Sequence, residues 1–359
     1  MKFDYCIGNP PFNGETAGDN KTNMPPIYHL FMDEAYKMAD TVELITPARF
    51  LSNSGDTPKA WNEKMLNDEH FKVLYFEPDS SKVFANKSIK GGVAVSIRSA
   101  EKKYGAIEIF TAFKELNSIL DKVHHRSDFE SFSSIVGSQS AYRLTNTFHK
   151  EHPEARYKED VNGNNVGLLA KGHDYDVGTK IFDRLPLVFL DADPKDGHEY
   201  IRILGRQNNG RATKYVRRDY IGVVDSFSKF KVFLPKANGS GAIGEVLTTP
   251  LIGEPLIGEP LIGHTQTFIS IGCFANIVEA QNCMKYIESK FARTVLGILK
   301  TTPDNPSEKW KYVPLQDFTP ASDIDWSQSV AEIDRQLYRK YGLSEDEIQF
   351  IETHVKEMN

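Results

Sequence analysis

Cysteine is scarce in this 359-residue chain. The three present, Cys6, Cys273 and Cys283, are far apart, with no Cys-x-x-Cys pair and no histidine cluster beside them. That spacing excludes a zinc finger or ribbon and a disulfide framework, and it fits a reduced, cytoplasmic setting. Long apolar runs are missing too, so neither a membrane span nor a secretory leader is expected. The chain has no overall excess of positive charge: 43 Lys and Arg stand against 49 Asp and Glu, a net −6. Coating a polyanion through bulk charge is therefore excluded, although a local basic surface is not. What remains is ordinary: 40% hydrophobic and 26% charged residues, a globular composition with length enough for two domains.

The first informative stretch is Phe3-Asp4-Tyr5-Cys6-Ile7-Gly8-Asn9-Pro10-Pro11-Phe12, an apolar strand running into Asn-Pro-Pro-Phe. Proline fixes its own φ and pushes the residue before it out of the helical region, so Asn9 and Pro10 are both stiffened. Neither proline has an N–H, which leaves carbonyls as acceptors. A rigid Asn side-chain oxygen beside the Pro10 carbonyl makes a two-acceptor site suited to an exocyclic amine, and Phe12 can stack on the ring that carries the amine. The plainer reading is a strand-ending turn, since Asn-Pro is a common turn starter.

Preceded by Phe-Asp-x-x-Ile-Gly, this motif resembles the target-amine motif of the amino-DNA-methyltransferases, in the Asn-Pro-Pro-Tyr/Phe form of the adenine-specific, TaqI-like group of restriction-modification systems. The resemblance implies double-stranded DNA as partner and an adenine flipped out of the duplex. Asn9 and the Pro10 carbonyl would accept from the adenine amine, Pro11 would hold the turn, and Phe12 would stack on the base. S-adenosylmethionine is the implied methyl donor, with Asn9 at the edge of its site. In the family a glycine-rich turn after a strand cradles that cofactor, and it precedes the Asn-Pro-Pro-Phe motif. Here Gly239-Ser240-Gly241 lies in a polar stretch and Gly163–Gly167 follows no buried strand. The expectation is the base-holding half of a methyltransferase, as a fragment, as a split enzyme completed by a separate subunit, or as a non-catalytic DNA-binding or specificity component. A fused restriction endonuclease-methylase is a further alternative, though no Pro-Asp…Asp/Glu-x-Lys nuclease constellation stands out.

The expected fold class is α/β: a partial Rossmann-like methyltransferase sheet, then a mixed α+β target-recognition region, then C-terminal helices. The boundaries fall at 1–124, 125–300 and 301–359. After a polar loop from Gly14 to Pro26, Ile27, Leu30, Phe31, Ala35 and Met38 fall at helical spacing. Strands are expected at Val42–Pro47, Lys72–Glu77 and Gly91–Ile97, and a helix at Lys59–Asn67. This alternation argues for a parallel-type sheet with its ligand at the strands' carboxyl ends. Pro47-Ala48-Arg49-Phe50-Leu51 also resembles the family; a strand-to-helix turn and a direct role are both open. A bridging helix is expected over Tyr104–Val123.

Charge is segregated in the recognition region. From Ile201 to Lys236 nine Lys and Arg face two Asp, a window of +7 in a chain of −6. Arg202, Arg206, Arg211, Lys214, Arg217 and Arg218 are the expected DNA contacts, chiefly to phosphate; a solvated basic face is the alternative. Tyr215, Tyr220, Phe227, Phe230 and Phe233 are expected in the core. Pro250–His264 is a tandem pentapeptide, Pro-Leu-Ile-Gly-Glu twice and then Pro-Leu-Ile-Gly-His. Its period is too short for a solenoid, and it reads as an irregular extended loop whose copy number carries little meaning. A single helix over Glu279–Lys300 and a pair at Ser329–Tyr341 and Ser344–Met358 complete the expectation, with Trp310 and Trp326 as core anchors.

Overall fold

The computed structural model describes residues 2–14, 24–53, 55–77, 79–84, 89, 91–111, 113–124, 126–238, 251–300 and 303–358. They form two compact units, 1–117 and 118–359. The loop expected from Gly14 to Pro26 and the Gly239–Gly241 stretch lie largely or wholly outside the described residues.

The first unit is a four-stranded α/β sheet. Its elements are β1 (Phe3–Gly8), α1 (Tyr28–Met38), β2 (Ala39–Pro47), α2 (Lys59–Leu66), β3 (Phe71–Glu77) and β4 (Val93–Ser99), in the sheet order β1-β2-β4-β3. β1 and β2 run parallel, with Gly8 opposite Leu44. β4 departs from the expected parallel arrangement and runs antiparallel to both its neighbours. Between β3 and β4 the described residues hold a short 3-10 turn at Ser80–Lys82 and no crossover α-helix of the kind that joins parallel strands.

One face of this sheet is covered. Tyr28, Met32, Val42, Leu44, Phe50, Trp61, Met65 and Phe71 form its core. α1 departs from the expected stripe, because Tyr28, His29 and Met32 are buried while Leu30, Phe31 and Met38 are exposed. The rings decide the rotation: Tyr28 packs on Phe50, and His29 packs edge-on against Trp61. On the opposite face, Phe3, Tyr5 and Ile7 of β1 are 56%, 65% and 74% exposed.

The expected bridging helix is shorter than its apolar pattern. α3 spans Lys114–His124, because Gly105 and Glu108 take positive φ upstream of it. Leu116, Ile119 and Val123 are its buried residues.

The second unit holds β5 (Arg143–Leu144), α4 (Asn146–Glu151), α5 (Ile181–Arg184), β6 (Tyr200–Gln207), β7 (Gly210–Arg217), β8 (Ile221–Gly222), β9 (Phe230–Pro235), β10 (Leu256–Gly258), β11 (Ile262–His264), β12 (Phe268–Phe274), α6 (Ile277–Glu288), α7 (Lys290–Leu299), α8 (Val330–Lys340) and α9 (Glu345–His354). Its sheets run β10-β9-β12, β11-β6-β7 and β5-β8. The β6–β7 hairpin turns on Asn208 and Asn209, both left-handed at φ 50° and 61°, as a two-residue turn between right-twisted strands requires. Tyr220, Phe227 and Phe233 are buried, as are Trp310 and Trp326.

Two expectations fail here. The tandem repeat is not an irregular loop. Leu251 and Ile252 of its first copy are buried, Leu256–Gly258 of the second pairs antiparallel with β9, and Ile262–His264 of the third pairs parallel with β6. Its glycines admit close packing: a Cβ on Gly258 would lie 2.7 Å from Phe233, and one on Gly263 would lie 2.8 Å from Ile203. The single helix over Glu279–Lys300 is two. Ser289 adopts an extended conformation between α6 and α7, and its hydroxyl accepts from the Ala292 N–H to start α7. The C-terminal pair forms as expected, with a complete Ser344–Glu347 capping box on α9 and Gly342 left-handed before it.

Candidate active site and basic face

Parallel pairing puts the carboxyl ends of β1 and β2 on the same edge of the first unit's sheet, and the β3–β4 connection reaches it as well. Asn9 leaves β1 at this edge. Its side chain is exposed, and among the described residues neither the Asn9 carboxamide nor the Pro10 carbonyl has a hydrogen-bonding partner. The following turn is fastened. Phe12 accepts from the Ile27 N–H at 3.0 Å, and the Gly14 N–H donates to Pro25 at 2.9 Å. The half-buried Phe12 ring meets Phe84 edge-on, with centroids 5.9 Å apart. Asn9 is thus an exposed side chain that follows β1, one residue before two prolines and three before the half-buried Phe12 ring. Chemically it can receive a two-donor amine on a planar ring.

Pro47–Leu51 is a strand-to-helix turn at the same edge. Phe50 and Leu51 enter the core. The Ala48 N–H donates to Gly92 at 3.0 Å, and the Arg49 side chain lies against Gly91, where a Cβ would come within 2.4 Å of its Cγ. Gly91 has φ +81°, so both space and backbone call for glycine there.

The six expected DNA-contacting cations lie in or just after β6 and β7, and the chain itself engages each of them. Arg202 pairs with Glu259 at 3.0 Å, and Arg211 with Glu254 at 3.2 Å. Lys214 is buried and pairs with Asp191. Arg217 bridges Glu151 and Asp219 at 2.7 and 2.6 Å. Arg218 donates to the Ile221 carbonyl at 3.0 Å. Arg206 reaches only the Asn209 carbonyl, at 3.3 Å, among the described residues. The face is thus basic by composition but largely neutralised. Glu254 and Glu259 are the residues that sequence reasoning passed over. Their signal was present, as carboxylates repeating every five residues shortly after a basic window.

Other clusters in the second unit hold none of the expected residues. A cavity of about 230 Å³ is lined by Leu169, His173, Asp176, Lys180, Arg184 and Gln266 among others. His173 Nδ1 lies 2.7 Å from Asp176 there. Among the described residues no group of histidine, cysteine, aspartate and glutamate could hold a metal ion, and no helix is long and apolar enough to cross a membrane.

Comparison with known proteins bears on the first unit. Residues 1–84 match the family described as Eco57I restriction-modification methylase. The matched segment contains Asn9–Phe12 and Pro47–Leu51. Among solved structures, the chain is similar to the type IIG restriction endonuclease BpuSI at 10% identity and a TM-score of 0.36, over 92% of this chain and 48% of that one. It is also similar to the ATP-dependent type ISP restriction-modification enzyme LlaBIII bound to DNA, at 10% identity and a TM-score of 0.27, over 84% of this chain and 28% of that one. The chain therefore spans about half the length of the first structure. No curated protein matches it.

Proposed function

We propose that this chain is the base-holding and DNA-recognition portion of a cytoplasmic, site-specific DNA adenine methyltransferase of a restriction-modification system. The observation that carries the reading is the Asn9 carboxamide and Pro10 carbonyl at a strand's carboxyl end, without a hydrogen-bonding partner among the described residues, inside the segment that matches the methylase family. The two acceptors take the two N–H donors of a flipped adenine's amine and turn its nitrogen lone pair out of ring conjugation. Phe12 stacks on the base, and the two prolines keep the acceptors from relaxing. Catalysis of this kind is positioning and electrostatics, with no covalent bond to the enzyme.

The methyl donor of such a reaction is S-adenosylmethionine. The described residues do not fit its cradle: the Gly163–Gly167 loop is surface structure with no buried strand before it. The cofactor half comes, in this reading, from a further polypeptide segment or subunit. Two features support that. β1 is an edge strand with one unpaired side, and Phe3, Tyr5 and Ile7 stand uncovered beside it.

The test is methyl transfer to duplex DNA by the full chain, alone and with a polypeptide carrying the cofactor half. Activity is expected only with that polypeptide, and Asn9→Ala lowers it by about 10²–10³-fold, the usual effect of removing one preorganised polar group. One-site binding of S-adenosylmethionine to the chain alone in calorimetry would overturn the division of labour. Duplex binding without methyl transfer in any combination would favour the second reading, a non-catalytic specificity component.

A further inference from the structure

The Pro-Leu-Ile-Gly-Glu repeat has no part in the base-holding chemistry, yet it is built into the basic face with care. Its first two copies end in Glu254 and Glu259. Glu254 Oε2 lies 3.2 Å from Arg211 Nη1, and the Glu254 carbonyl accepts from Arg211 Nη2 at 2.6 Å. Glu259 Oε2 lies 3.0 Å from Arg202 Nη2. The third copy carries His264 at the equivalent position, and that side chain is fully buried between Tyr142 and Phe233. A carboxylate buried there without a partner would be costly. The departure from perfect repetition thus falls where the glutamate would have no arginine and no water.

The two carboxylates are not on a free tether. Leu256 and Ile262 pack around Leu204, Phe233 and Phe268. The buried Lys231 ammonium donates to the Glu259 carbonyl at 3.1 Å, as well as to the carbonyls of Ser226, Phe227 and Lys229. β11 lies in register with Arg202–Leu204 of β6. The backbone on both sides of each glutamate is therefore fixed, while both glutamate side chains are more than half exposed. These heads can leave their arginines without disturbing the fold.

A carboxylate on a guanidinium occupies the donors that a phosphate would use. We infer that Glu254 and Glu259 act as a built-in anion that competes with duplex DNA for Arg211 and Arg202, so the repeat sets how tightly this face holds a polyanion. The inference rests on the DNA-binding part of the function proposed above. It assigns the repeat a role in affinity, and it makes the two glutamates, together with the arginines, the determinants of salt dependence.

The experiment is duplex binding by the full chain, followed by fluorescence anisotropy over a salt series, for the wild type, E254Q/E259Q, R202A/R211A and the quadruple variant. E254Q/E259Q is expected to bind about threefold to tenfold more tightly at low salt, as two freed surface pairs imply. Its log K against log [salt] slope is expected to steepen by about 1.8, for two further phosphates. In the R202A/R211A background the glutamine changes are expected to do nothing, because their effect runs through those arginines. A wild-type slope and affinity for E254Q/E259Q, with R202A/R211A weakened, would overturn the competition while leaving DNA binding in place. An equal gain from the glutamine changes with and without the arginines would reduce it to a general charge effect and overturn it as well. Failure of every variant, wild type included, to bind duplex DNA would instead remove the DNA-binding reading and this inference with it.

Discussion

Buried charge is the main source of constraint at the scale of single residues in the second unit. Lys231 is buried, and burial pushes its amine down to about 8. It persists because its ammonium finds four carbonyl oxygens on the 226–229 segment and the repeat. Arg293 is buried likewise and donates to the carbonyls of Glu288, Ser289 and Lys356. Asp334 is their acidic counterpart. It accepts from the Lys290 and Phe291 N–H groups at 3.0 and 2.8 Å, two donors that the first turn of α7 would otherwise leave unpaired. Burial nevertheless raises its carboxyl from 3.8 to about 6. The native state then holds this proton more tightly than the unfolded chain between about pH 4 and 6, so its contribution to stability falls as pH rises through that window. Comparison with Asp334→Asn isolates the term. The stability of the wild type relative to the variant is expected to drop by roughly 2 kcal/mol between pH 4 and 7. A pH-independent difference between the two urea-unfolding curves would show that the carboxyl titrates near its ordinary value.

At the scale of elements, the three repeat copies share Pro-Leu-Ile-Gly and have three structural roles: a buried anchor at Leu251–Ile252, an antiparallel strand on β9, and a parallel strand on β6. Removing either of the first two copies gives the same shortened sequence, and two copies cannot fill three roles. Deletion of residues 255–259 is therefore expected to cost more than about 3 kcal/mol, from lost apolar burial and from the carbonyl taken from Lys231. A urea midpoint equal to that of the wild type would return the repeat to the status of a neutral loop. This was not legible from the sequence, and the reason is distance. Arg202 meets a glutamate 57 residues on, and Arg211 one 43 residues on. Whether Pro-Leu-Ile-Gly becomes strand or loop is decided by β6 and β9, which no local pattern reports. The legible features are those whose causes are local. The Asn9–Phe12 turn is fixed by its own prolines, the β6–β7 hairpin by Asn208 and Asn209, and α9 by its Ser344–Glu347 box. The break between α6 and α7 is intermediate. Ser289 is a local capping signal, but the apolar periodicity running through it masked the boundary.

At the scale of the whole molecule, one face of β1 in the first unit's sheet is uncovered among the described residues. Sheets with parallel pairing are normally covered on both faces, and exposed edge strands are normally blunted by charge or proline. Here β1 has neither along Tyr5–Gly8, and it carries Phe3, Tyr5 and Ile7 on its open face, with Thr41 and Glu43 of β2 beside Tyr5 and Ile7. An apolar face of this kind is the mark of an interaction surface and not of a solvent boundary. It adjoins the edge where β1 runs into Asn9 and Pro10, so a segment covering it would stand next to the site proposed above. Under the function proposed above, the Asn9–Phe12 motif and the uncovered face share one explanation, a sheet that is finished by the segment bringing the cofactor. The face can be tested without that segment. Threonine at positions 3, 5 and 7 keeps strand propensity while removing most of the apolar area, and it leaves Val42, Leu44 and the covered core untouched. The wild type is expected to enhance the fluorescence of a hydrophobic dye and to self-associate in sedimentation as its concentration rises, and the triple variant to lose most of both. It is also expected to lose productive association with the cofactor-bearing polypeptide. If dye binding and sedimentation are unchanged, the face is not the chain's sticky surface, and the case for a completing layer on β1 falls.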